Sequence, residues 1–181
     1  MPKLTMPPTI DETYNANTKA QYEALGRFVE AFEALVHETR SASISILSVT
    51  GADANLLNVV FHHSALSAKP LYEIMRALVA DFLKQHPKVT IKERDTLGVM
   101  TEIATEYFYL SNARNSLLHG TWYVGYITSD APNADTFILN KYKPTKGGLL
   151  KEESLPKDAF ELLALTDRCK KARNWIAFVQ S

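Results

Sequence analysis

The residues best equipped for chemistry lie close together: Arg114, Asn115 and His119, within YFYLSNARNSLLHGTWYVG at 107–125. Arginine presents a planar, permanently charged fork that matches phosphate oxygens. Histidine can give and take protons near neutral pH. Asparagine can orient either by hydrogen bonding. An Arg and a His held together, without acidic metal ligands nearby in sequence, suit metal-independent phosphodiester transfer. In RNA the 2′-hydroxyl would be the internal nucleophile, and histidine would act on its proton or on the leaving 5′-oxygen. Arginine would stabilise charge building up on the phosphorus oxygens. No metal and no cofactor is called for.

Such groups need a helix to hold them. Asn115 and His119 are four apart and share a helical face. Backwards along that face come Asn112, Ser111, Phe108, Ala104 and Thr101, a small and polar set suited to a site; Asn112 is a candidate substrate contact. The opposite face carries Val99, Ile103, Leu110, Ala113 and Leu117 and is expected to face the core. Arg114 lies about 100° round from Asn115, since a turn takes 3.6 residues, but its long side chain reaches the same opening. Gly120 follows His119 where a left-handed cap favours glycine.

The rest of the chain reads mainly as helix. Residues 1–14, with Pro2, Pro7 and Pro8, read as a flexible tail, and 15–181 as a single helical domain. Tyr22, Leu25, Phe28, Val29, Phe32, Leu35 and Val36 predict a first amphipathic helix from about Asn17 to near Arg40. Residues 41–53 fit either a loop or a short helix, with Gly51 and Asp53 marking a break. Further helices are expected over Asn55–Ala68, from about Pro70 to Pro87, from Ile91 or Asp95 to His119, and from Pro156 to Phe178. Between the last two, TWYVGYI and TFILNKY flank the turn-rich SDAPNAD, which predicts a β-hairpin. Residues 143–156 read as a polar connection. The expected fold is all-α: an up-and-down bundle of four to five helices with one inserted β-hairpin at about 121–142.

At Arg114, Asn115, Ser116-Leu117-Leu118 and His119 the sequence resembles the HEPN superfamily, whose members carry an Arg, a polar residue, three variable residues and a His on the last-but-one core helix. The resemblance in pattern spans roughly 17–180. It implies a metal-independent ribonuclease acting on single-stranded RNA. It further implies a homodimer whose two motifs face each other in a composite cleft. Many relatives are toxins paired with a nucleotidyltransferase-like antitoxin, or act in phage defence. Others keep the bundle as non-catalytic modules, here a dimer binding a nucleotide, RNA or protein partner.

Blander roles stand beside these. Arg114 could pair with Glu106 or Glu161, His119 could simply be favoured by the helix dipole, and Asn115 could cross-link helices. Adjacent His62 and His63 point about 100° apart on a helix and are poorly placed to share an ion. His37 and His86 have no evident partners. Cys169, the sole cysteine, sits in an apolar stripe and reads as a buried thiol. The lysines Lys141, Lys143, Lys146 and Lys151 fit a solvated face, and Lys141 and Lys143 are the candidates for phosphate contacts. Trp122, Tyr123 and Tyr126 could stack bases or seal the hairpin.

Composition bounds all of this. The chain has 181 residues, 20 Lys+Arg against 20 Asp+Glu, 46% hydrophobic and 22% charged residues. That length buries roughly two-thirds of the unfolded chain's surface without staples. Disorder as a global description is excluded, as are an intrachain disulfide and a multi-cysteine metal site. Zero net charge argues against a basic coat for nucleic acid or membranes. No apolar run approaches a membrane span or a signal peptide, so a soluble, reducing, cytoplasmic setting is expected.

Overall fold

The computed structural model describes residues 10–63, 66–86, 93–119, 121–123, 138–144, 150–153 and 158–180. The elements, in order, are α1 (Ile10–Val49), α2 (Ala54–Phe61), α3 (Ala68–Gln85), α4 (Glu93–His119), β1 (Thr121–Tyr123), β2 (Ile138–Pro144), β3 (Leu150–Glu153) and α5 (Ala159–Gln180). No helix among the described residues is long and apolar enough to cross a membrane. The chain groups into two compact units: Met1–Val29 with Ala113–Leu165, and Glu30–Asn112 with Thr166–Ser181.

Helix α1 starts at Ile10, inside the stretch read as a tail, and runs on to Val49. The ambiguous residues 41–49 are therefore helical. Their hydroxyls explain why: the Thr39 Oγ1 donates to the Leu35 carbonyl at 2.9 Å and the Ser43 Oγ to the Thr39 carbonyl at 2.9 Å. Both side chains are buried, and the helix's own i−4 carbonyls satisfy them. The helix ends where Gly51 takes a φ of +91°. The Ala52 N–H bonds to the Leu47 carbonyl and the Gly51 N–H to the Ser48 carbonyl, a Schellman closure. Asp53 then caps α2 by accepting from the Leu56 N–H at 2.8 Å. Helix α2 stops at Phe61, well short of the expected Ala68. Pro70 falls in the first turn of α3, where its missing N–H is tolerated. Asp158 caps α5 through the Glu161 N–H at 2.7 Å; Pro156 lies outside the described residues.

In the second unit, Tyr107 on α4 lies at the centre. Its ring sits 4.8 Å from that of Tyr72 on α3 and 6.3 Å from that of Phe32 on α1. Phe108 meets Tyr72 edge-on at 6.0 Å. The Tyr72 hydroxyl donates to the Met100 carbonyl at 2.6 Å. Leu35, Leu71, Met75, Met100, Leu110, Cys169 and Ile176 complete this core, each at most 1% exposed. Burial pushes the Tyr72 phenol above its ordinary pKa.

The first unit holds the N-terminal part of α1, the last residues of α4, the strands and the start of α5. Ala24, Phe28, Leu117 and Leu162 are buried there. The strands form an antiparallel sheet in the order β1-β2-β3. Thr121 stands opposite Asn140, Lys141 opposite Glu153, and Lys143 opposite Lys151.

The expectation of an all-α bundle carrying one hairpin at about 121–142 is corrected by this arrangement. Helix dominates the described residues, and in place of a two-stranded hairpin ending at about 142 they hold three short strands in one sheet. β1 has only three residues, β2 starts at Ile138 and runs past the expected end, and its longer pairing is with β3. β3 lies in the segment read as a polar connection. The pattern misled because β2 and β3 carry charged residues at paired positions, as with Lys141 and Glu153. Strands of that composition lack the apolar alternation that marks a strand in sequence. The SDAPNAD turn, Gly120, Tyr126 and Lys146 lie outside the described residues.

Removing the Tyr72 hydroxyl leaves a buried carbonyl with one acceptor site unfilled. Tyr72→Phe is therefore expected to cost about 1 kcal/mol, measured as a lower urea midpoint at unchanged slope. Alkaline pH acts on the same core. Burial pushes the Tyr107 phenol and the Cys169 thiol each up to about 12. In the unfolded chain the two titrate near 10 and 9, so above pH 9 the unfolded state sheds protons that the folded state keeps. Stability is complete below pH 9 and declines from there toward pH 12. Cys169→Ala should flatten the fall in melting temperature between pH 9 and 10, and the native thiol should resist a thiol reagent until the protein unfolds.

Candidate functional site

The end of α4 carries the predicted motif. Its anchoring residues are buried: Ala113, Ser116 and Leu117 lie inward, with Leu117 fully enclosed. That pins the helix rotation, and the motif's polar members take the remaining directions. Asn115 and His119 are exposed, and Arg114 is half-buried. The Arg114 Nη1 donates to the Asn115 Oδ1 at a long 3.4 Å. The adjacent pair thus touches despite the angle between neighbouring residues, because the arginine stem bends round. His119 is the last residue of the helix.

Chemically, this end presents one fixed cation half out of solvent, an amide that touches it, and an open imidazole one helical turn beyond the amide. An oxyanion could dock on the guanidinium while the imidazole exchanges a proton with solvent or ligand. Of the two acids suggested as Arg114's structural partner, Glu161 stands in the first turn of α5 and Glu106 pairs with Arg168. The Glu106 carboxylate takes that guanidinium in a two-pronged contact, Nε at 2.5 Å and Nη2 at 2.7 Å.

Asn112, the outlying member of the predicted set, belongs to the second unit. Its Oδ1 accepts from the Lys69 Nζ at 2.8 Å, and that ammonium also lies 5.7 Å from the centre of the Phe108 ring. Lys69 therefore brings a cation beside Asn112 that spacing could not reveal, since 43 residues separate them. Lys141 and Lys143 occupy alternate positions of β2. The open face drawn through Asn112, Ser111, Phe108, Ala104 and Thr101 is narrower than expected. Ala104 and Ser111 are buried, whereas Thr101 is exposed. The core face instead extends to Tyr107, whose bulk fills the space between helices.

No group of three or more His, Cys, Asp or Glu residues among the described positions could hold a metal ion. His62 and His86 each direct Nδ1 at a carbonyl four residues back, at 3.0 and 2.9 Å, and His86 stacks on Phe82. Cys169 is buried with its pKa raised, the opposite of an activated nucleophile.

Sequence reasoning missed the group around Arg168 on α5. Its guanidinium lies 4.1 Å from the centre of the Tyr109 ring while gripping Glu106. Glu106 raises the Arg168 pKa against the opposing effect of burial. Nothing in the spacing signals a pair 62 residues apart.

Exposure at the motif separates chemistry from stability. Asn115→Ala and His119→Ala should each change unfolding free energy by no more than about 0.5 kcal/mol, as surface substitutions do, in a denaturant titration. Larger losses would make these residues structural. Compared with protein-family models, curated proteins and solved structures, the chain finds no match.

Proposed function

We propose that the protein is a metal-independent endoribonuclease acting on single-stranded RNA. The observation that supports this reading is the helix end itself: Arg114 half-buried against Asn115, with His119 open one turn beyond the amide. The 2′-oxygen bonds to phosphorus as the bond to the 5′-oxygen breaks. An imidazole takes the 2′-proton, and a protonated imidazole gives one to the departing 5′-oxygen. Arg114 stabilises the charge gathering on the non-bridging oxygens, and Asn115 orients the guanidinium. The two proton transfers call for two imidazoles, which a homodimer with facing motifs supplies. Lys141 and Lys143 on β2 would contact neighbouring phosphates. The biological setting that goes with this reading is a toxin held in check by a nucleotidyltransferase-like antitoxin, or a phage-defence nuclease.

The test is cleavage of mixed single-stranded RNAs by rigorously purified protein with EDTA present. Products ending in a 2′,3′-cyclic phosphate and a 5′-hydroxyl are expected. Arg114→Ala and His119→Ala should each lower the rate by at least about 100-fold, the contribution of one positioned group, while melting as the wild type does. RNA bound without turnover by wild type and His119→Ala alike would point to a non-catalytic binding module and would overturn the enzymatic reading.

A further inference from the structure

Glu106 and Arg168, which tie α4 to α5, also line a groove of about 270 Å³ within the second unit, and their two-pronged contact stands at one end of it. Seven residues away on each helix, Val99 and Trp175 line the same groove. At 1.5 Å of rise per residue it is therefore about 10 Å long. A docked helix of more than two turns would run into the Glu106–Arg168 pair, so the space suits a small molecule. Its volume falls just below that of a site for a drug-sized ligand.

The lining dictates which molecule. The floor is apolar, from the buried Ile103 and Ala172 with the half-buried Val99. Trp175 is 41% exposed, which leaves indole surface open for a flat apolar group. Glu102 belongs to the α4 wall and Lys171 to the α5 wall, and both are exposed. Among the described residues no ion pair joins either of them to the other or to a third residue. Glu106 and Arg168 are taken by each other, so the groove offers one open carboxylate and one open ammonium, from opposite helices.

We infer that this groove binds a small zwitterion with an aromatic body, of which a free aromatic amino acid is the simplest. Its ammonium donates to Glu102, its carboxylate accepts from Lys171, and its ring lies on the apolar floor against Trp175. A ligand with a single charge meets a like charge on one wall, so the two walls together select against it. The inference rests on neither RNA cleavage nor self-association.

The test needs no RNA: the full-length protein is titrated with L-phenylalanine, 2-phenylethylamine or 3-phenylpropanoate while tryptophan emission is followed. L-Phenylalanine should saturate with a Kd of about 1 mM or below. Each singly charged analogue should bind at least about tenfold more weakly, the worth of one hydrogen bond to a charged group. Lys171→Gln should bind phenylalanine no better than it binds 2-phenylethylamine. Glu102→Gln should bind it no better than 3-phenylpropanoate. Trp175→Leu, which keeps Trp122, should lose the emission change. No saturation by about 10 mM, equal binding of the three probes, or charge variants that bind as wild type does would each overturn the proposal. So would an emission that shifts with protein concentration alone, which would give the groove to a second copy of the chain.

Discussion

Tyr107 is the contact on which the second unit depends. One ring on α4 touches Tyr72 from α3 and Phe32 from α1, and its phenol lies by Thr39. An aromatic of that size in a close-packed interior admits few alternative arrangements. Its phenol oxygen is buried close to the Thr39 hydroxyl, which itself donates to Leu35, and among the described residues no well-formed hydrogen bond reaches it. The cost of that oxygen is borne by the packing around it. The neighbouring Tyr72 hydroxyl, by contrast, is satisfied by the Met100 carbonyl.

Once Tyr107 is turned inward, the helical period sets the rest of α4. Met100, Ile103, Ala104, Leu110 and Ser111 follow it into the interior, and Glu102, Thr105, Asn112 and Tyr109 are left outward. The same period reaches Leu117 inward and Asn115 and His119 outward at the helix end. The proposed catalytic groups Asn115 and His119 are therefore outward for the same geometrical reason as Glu102 and Thr105. The core can take only one stripe of the helix, and every other position is available for chemistry or association.

Helix α1 illustrates how far local pattern carries. Its middle, Phe28 to Val36, has clear helical spacing, and all but its boundaries could be read from residue types. The extension through Ser41–Val49 could not, because serine, threonine and β-branched residues are indifferent formers. Backbone carbonyls took up the Thr39 and Ser43 hydroxyls only once both were buried. The break at Gly51 and the cap at Asp53 were legible, since a positive φ and an N-cap each call for particular residue types.

The motif Arg114-Asn115-x-x-x-His119, its place at a helix end and the buried cysteine were determined by sequence alone. They depend on neighbours within a turn or two, and the helical period ties those together. Tertiary structure decided what comes from afar: Lys69 at Asn112, Arg168 at Glu106, and the third strand opposite Lys141. Pairings across tens of residues leave no periodic trace, since they are chosen by which surfaces the packed core leaves side by side.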